Sequence, residues 1–178
     1  MPGSDLIKLQ PCSVDHCEIL HSIAVQSYHE HYADIWEDQG QAYLARFYTR
    51  DIFENELKKP NAAYYLIYHS ETPVGFLKLR ENGLAPYSSE DCLELNKIYL
   101  LQAHTGKGIG NHALQFVFDQ ARAKSKRIIW MNVMAESKAR KFYEHYGFKC
   151  SQEVSLDYPH MKAGLNVLST YKLEITKF

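Results

Sequence analysis

The segment Thr105-Gly106-Lys107-Gly108-Ile109-Gly110 most constrains how this chain can fold. It lies between a strand-like run, Leu93 to Leu100, and a helix-like run from Asn111 to about Lys124. Three glycines in five residues let the backbone turn sharply and approach a ligand closely. The amide groups they free point outward from the start of a helix, where the helix dipole favours negative charge. The segment therefore predicts a strand, a tight turn and a helix, with a phosphate-bearing ligand at the turn.

Two familiar phosphate motifs do not fit. A P-loop needs its lysine after the last glycine, but here Lys107 stands between the first two. A dinucleotide fingerprint needs a different glycine spacing and an acidic residue about 20 positions on, where this chain begins a strand with Arg127-Ile128-Ile129. An ordinary strand-to-helix turn with no ligand is the plain alternative.

The remaining pattern describes a mixed α/β chain. Leu6 to Gln10 reads as a short strand stopped by Pro11. Ser13 or Asp15 can cap a helix, with Glu18 placed to close a capping box on Asp15. Leu20, Ile23, Ala24, Ser27 and Tyr28 recur at helical spacing. Trp36, Tyr43, Leu44, Phe47 and Tyr48 predict a second helix with an aromatic face, continued by Ile52 to Leu57. Ala63 to Tyr68 and Val74 to Leu79 form a hairpin around Glu71-Thr72-Pro73. Arg127 to Val133 is nearly all apolar, as a buried central strand should be. Glu136 to Tyr146 reads as a helix ended by Gly147, and Phe148 to Leu156 and Leu165 to Ile175 as closing strands. No repeat or long linker interrupts 178 residues, so one domain spanning 1–178 is expected.

Composition narrows the class. Hydrophobic residues make up 46%, enough for a packed core. A net charge of -1 speaks against a nucleic-acid binder. No apolar run is long enough to span a membrane, and Met1 to Asp5 has no leader-like pattern. Cys12, Cys17, Cys92 and Cys150 lack zinc-like spacing and read as reduced thiols, which points to the cytoplasm. The nine histidines form no i,i+4 helical pair, so no metal site is expected.

Residues 92–148 taken together resemble the core of the GNAT superfamily of acetyl-CoA-dependent N-acetyltransferases. The resemblance is carried by the strand Leu93 to Leu100, the turn Thr105 to Gly110, the helix after it, the strand Ile128 to Val133, and the run Ala139 to Phe148 with its Phe142-Tyr143 pair and Gly147-Phe148. The wording of Glu94 to Gly110 looks most like the bacterial polyamine acetyltransferase branch. The resemblance implies a single-domain fold with a mixed sheet of about seven strands, helices on both faces and a splayed V between the fourth and fifth strands. It implies acetyl-CoA as acyl donor, held by Ile98, Tyr99 and Leu100 along the strand and by Thr105, Gly106, Lys107, Gly108, Ile109 and Gly110 at the turn. Two positions depart from the family. Thr105 replaces a glutamine or arginine, and Glu136 stands where an asparagine touches the pantetheine arm; Asn132 and Ser137 are the candidates to take that contact.

The implied chemistry is attack of a primary amine on a thioester. Tyr143 matches the family's tyrosine near the sulfur, with Phe142 expected to be its core-facing neighbour. Glu94 is the expected base, its alternative being a surface carboxylate that attracts a cationic substrate. Tyr28, Tyr32, Asp34 and Trp36 are the expected acceptor residues, since rings and carboxylates suit a polyamine or other cationic amine; a solvated helix face is the alternative there. A protein or peptide amine as acceptor, and a non-catalytic acyl-CoA-binding regulator, remain open. The family's habit of pairing through sheet edges makes a homodimer a further expectation.

Overall fold

The computed structural model describes residues 6–175, so the Met1–Asp5 segment read above lies outside the described residues. The chain runs β1 (Ile7–Pro11), α1 (Cys17–Tyr32), α2 (Gln41–Phe47), α3 (Arg50–Leu57), β2 (Ala62–His69), β3 (Thr72–Arg80), β4 (Cys92–Leu100), α4 (Ile109–Ala123), β5 (Ile128–Met134), α5 (Ala139–His145), β6 (Lys149–Ser155) and β7 (Val167–Glu174). All seven strands join one sheet in the order β1-β2-β3-β4-β5-β7-β6. Every neighbouring pair is antiparallel except β4–β5, which is parallel.

Alternation along the strands divides the interior into two layers. Ile67, Leu77, Leu95, Ile129 and Met131 face α4 and α5, packing on Leu114, Val117 and Tyr143. Tyr64, Leu66 and Phe76 face the other way, onto Leu20, Ile23, Tyr48 and Phe53 of the N-terminal helical layer. Helices thus cover both faces, and the buried run of β5 reflects its central place. Among the described residues no helix is long and apolar enough to cross a membrane.

Three local expectations need correction. The second N-terminal helix does not run from Trp36. The Asp38 carboxylate accepts from the amides of Gly40 and Ala42, and Gly40 has φ +81°, so helix geometry begins only at Gln41. Thr49 interrupts it again, taking the Ile52 amide on Oγ1 at 3.4 Å to start α3. Near the N-terminus it is Ser13, not Asp15, that heads the first turn, a short 3-10 turn, and the box partner is His16, whose Nδ1 accepts the Ser13 amide, in place of Glu18. The last helix starts at Ala139, not Glu136, because the Ser137 hydroxyl accepts the Ala139 amide and residues 135–138 form the turn before it.

Candidate active site

The site begins as a fault in the sheet. β4 pairs with β5 only through Cys92, Leu93 and Glu94, opposite Ile128, Ile129 and Trp130. Both strands continue, β4 to Leu100 and β5 to Met134, without pairing to each other. The cause lies on the other side of β4. Lys97 pairs with Lys78 and Leu95 with Leu79, so Asn96 is an extra residue in the ladder. Such a bulge bends its strand and increases the local twist. A slot opens between the diverging strands, lined by Asn96, Ile98, Asn132, Ala139, Tyr143 and, from α1, Tyr32.

The end of β4 is held by α1. His31 Nε2 lies 2.6 Å from the Leu100 carbonyl oxygen, and the Gln102 amide donates to Glu30 at 2.7 Å. Gly75 of β3 opposes Leu100; a Cβ there would lie 2.7 Å from a Leu100 methyl and closer still to the Tyr99 carbonyl oxygen. Only glycine lets β3 approach this part of β4 so closely.

The glycine turn follows directly. Gly106 and Gly108 have φ of +72° and +80°, and an added Cβ at either would meet nothing within 4 Å. Their constraint is therefore conformational, not steric crowding. Thr105 Oγ1 donates to the Gln102 carbonyl at 2.8 Å, closing the preceding turn. Residues Thr105 to Gly108 are exposed, whereas Ile109 is buried and anchors the first turn of α4 in the core. Gly110 lies beside Phe142 of α5. The open amides of a 15-residue helix thus point outward at the end of the slot.

Tyr143 lines the slot and is itself buried, while Phe142 packs against the core cluster but is only partly buried. Burial pushes the Tyr143 phenol far above its usual range, so it stays protonated and can only donate. Asn132 sits on the slot wall with Oδ1 accepting from Thr170 at 2.8 Å. Ser137 lies at the turn into α5, near the Tyr32 hydroxyl. The side chain of Tyr99 lies toward the N-terminal helices, against Phe76 and Tyr32, so only its backbone faces the donor side with Ile98 and Leu100.

Of the four expected acceptor residues, Tyr32 alone lines the slot. Tyr28 and Trp36 are buried in an aromatic cluster, joined by a 3.1 Å hydrogen bond from the indole to the phenol. The loop between β6 and β7 covers them: Tyr158 packs on Trp36 and Tyr43, and Met161 bridges to Trp36. Asp34 is exposed, and Lys162 donates to its backbone carbonyl at 2.9 Å.

Glu94 is buried at the last paired register of β4 and β5 and does not line the slot. Its carboxylate accepts from Asn96 at 2.6 Å and from Asn82 at 3.0 Å, with Arg80 at 3.7 Å. It holds the bulge residue in place. Lys97, beside the bulge, lines the slot instead, with its ammonium 5.4 Å from the centre of the Tyr48 ring. Burial and the nearby Lys78 ammonium push its pKa down to about 8. Neither Lys97 nor Tyr48 is expected from the sequence, where Glu94, Asn96 and Lys97 read together as polar positions of one strand. Among the described residues no cluster of three metal-ligating side chains occurs.

The model of the Acetyltransferase (GNAT) family matches residues 25–148, which include the second half of α1, the fork, the glycine turn and α5. The chain belongs to this family. It is an acetyl-CoA-dependent N-acetyltransferase of the GNAT type. An uncharacterized N-acetyltransferase from Lactobacillus delbrueckii subsp. lactis is 26% identical over 125 residues, covering 66% of this chain and 72% of that relative. The PaiA N-acetyltransferase of Thermoplasma acidophilum, solved with coenzyme A, shares the fold with a TM-score of 0.73 at 21% identity, over 94% of this chain and 99% of that one. A spermidine N-acetyltransferase SpeG mutant from Vibrio cholerae has a TM-score of 0.68 at 12% identity, over 96% and 94% of the two chains.

Proposed function

We propose that this GNAT enzyme acetylates the primary amine of a small molecule by direct attack within the slot between β4 and β5. The observation that carries the reading is the direct sequence of an unpaired β4 edge, a left-handed glycine turn and an exposed helix N-terminus. An extended pantetheine arm fits the first as a surrogate strand, and a pyrophosphate fits the last. Amides along Ile98 to Leu100 and Gly106 to Gly110 are the proposed contacts, with Lys107 adding charge at the rim and Asn132 and Ser137 on the opposite wall.

Acetyl-CoA supplies a thioester carbonyl. The acceptor amine, near pKa ~10 in water, must lose a proton before it attacks. The nitrogen then forms the new C–N bond, the C–S bond breaks, and the sulfur leaves as a thiolate. The amide near Ile98 is the proposed donor to the developing oxyanion. Tyr143 is the proposed donor to the sulfur. Because its phenol is far less acidic than a thiol, near pKa ~8.5, it hydrogen-bonds the leaving group and keeps its proton. Glu94, with its carboxylate occupied by Asn82 and Asn96, serves to fix the bulge, and the amine proton leaves through water in the slot.

A polyamine acceptor draws support from the fold likeness to the spermidine enzyme and from the acidic run near Asp34. The slot itself favours an acceptor less dependent on positive charge. Asp38 is consumed in starting α2, Asp34 and Glu37 are exposed, and the charge that lines the slot is Lys97. Thiol release from acetyl-CoA, measured against spermidine, spermine, amino acids, simple amines and lysine peptides, tests the reading. Turnover of small amines supports it; failure of acetyl-CoA to bind in calorimetry removes its basis.

A further inference from the structure

Lys97 is out of place for a slot that receives only cations. On its own strand and the strands and helix packed on it, the neighbouring charges are Lys78 and Arg80 of β3, Glu94 of β4 and Glu56 of α3. Both carboxylates are already engaged. Glu56 accepts from Lys78 at 2.6 Å and from the Tyr64 hydroxyl, and Glu94 from Asn82 and Asn96. Among the described residues no hydrogen bond or ion pair reaches the Lys97 ammonium, which lies over the Tyr48 ring. Tyr48 does not itself line the slot; it packs behind the lining residues Lys97 and Tyr99, with its hydroxyl fully buried. Polar groups withdrawn from water normally have partners, and an uncompensated charge there is unfavourable. An unpaired ammonium that lines the slot points to an anionic ligand group.

Resting on the acetyltransferase reading, we propose that the acceptor is a small amine that also bears a carboxylate, bound with that carboxylate against Lys97 and with its amine toward the fork. An ammonium offers only donors and is matched by an acceptor-only group, and a carboxylate is the compact anion that occurs with a primary amine in one small molecule. A polyamine would bring its second cation to the Lys97 ammonium, where like charges repel. The site thereby selects by charge sign as well as size.

The test compares, on the full chain, kcat/KM for amino acids and for the same amino acids as their amides, with spermidine alongside and acetyl-CoA binding measured by calorimetry. The expected result is at least a tenfold preference for the acid over its amide, and little turnover of spermidine. In Lys97→Met the acid-to-amide ratio should fall toward one, mostly through the acceptor KM, with acetyl-CoA affinity within threefold of wild type. Equal rates on acid and amide by the wild-type enzyme, or preference for spermidine, would overturn the carboxylate assignment while leaving the acetyltransferase reading in place. Loss of acetyl-CoA binding by the wild-type chain would instead strike at that reading. The wild-type comparison needs no variant, so it holds even if Lys97→Met folds poorly.

Discussion

Replacing Lys97 with methionine should make the protein more stable at neutral pH. Lysine in the unfolded chain titrates near 10.5, and in the folded chain near 8. At about 1.4 kcal/mol per pH unit, holding this proton in the folded state costs on the order of 3 kcal/mol. Below pH 8 both states carry the proton and the penalty is full. Between pH 8 and 10.5 the folded chain has released it and the unfolded chain has not, so stability rises with pH. Above 10.5 neither state carries it and the penalty is gone. Methionine keeps most of the aliphatic stem and removes the charge, at the loss of a cation–π contact worth roughly 0.5–1 kcal/mol. A net gain of about 2 kcal/mol is expected at pH 7, or roughly 4–8 °C in Tm for a chain of this size. Denaturant unfolding of both proteins at pH 7 and pH 10 checks it, since every other titrating group is common to both and largely cancels. The advantage of the variant should shrink by about 2 kcal/mol at the higher pH. A variant destabilised at pH 7, or a difference unchanged between the two pH values, would refute the claim that Lys97 is a desolvated, uncompensated charge. A residue that weakens the fold while lining the slot is one retained for what it binds.

Other outcomes follow from the same geometry. Tyr143→Phe removes the slot's buried phenolic donor and should lower kcat by roughly 10- to 100-fold with both KM values within threefold, read in the thiol-release assay. Gly108→Val forces a β-branched residue to positive φ at the start of α4 and should weaken acetyl-CoA binding at least tenfold in calorimetry, with the amine KM little changed. Glu94→Gln keeps an acceptor for the Asn96 amide and should retain more than about a tenth of wild-type kcat; complete loss would restore Glu94 as the base. Gly75→Ala pushes a methyl into the Tyr99 carbonyl and should destabilise the protein by about 1–3 kcal/mol in urea unfolding.

What the sequence reveals is mostly local. The apolar run of β5 and the glycine turn can be read because a single strand and a single turn encode them. The fork cannot be derived from the residues around it. Asn96 becomes an extra residue only through the register between β3 and β4, and nothing in its own neighbourhood marks it. Tyr28 and Trp36 have the aromatic character of a binding face, but a loop more than 100 residues later buries them. Of the Phe142–Tyr143 pair, the residue that lines the slot is also the more buried, because the slot is cut into the core. Lys97 reads as an ordinary solvent-facing residue of an alternating strand. The bulge and the α1–α3 layer, neither visible locally, desolvate it. The residues that differ most from expectation are those whose setting comes from distant segments.

The central claim is that the unpaired edge of β4 and the start of α4 together receive the acyl donor. Amide hydrogen exchange of the protein with and without coenzyme A tests it most directly. The account predicts slowed exchange at residues 98–100 and 106–110, with β1 and β2 unchanged. Tight coenzyme A binding that leaves both segments exchanging as before would contradict it.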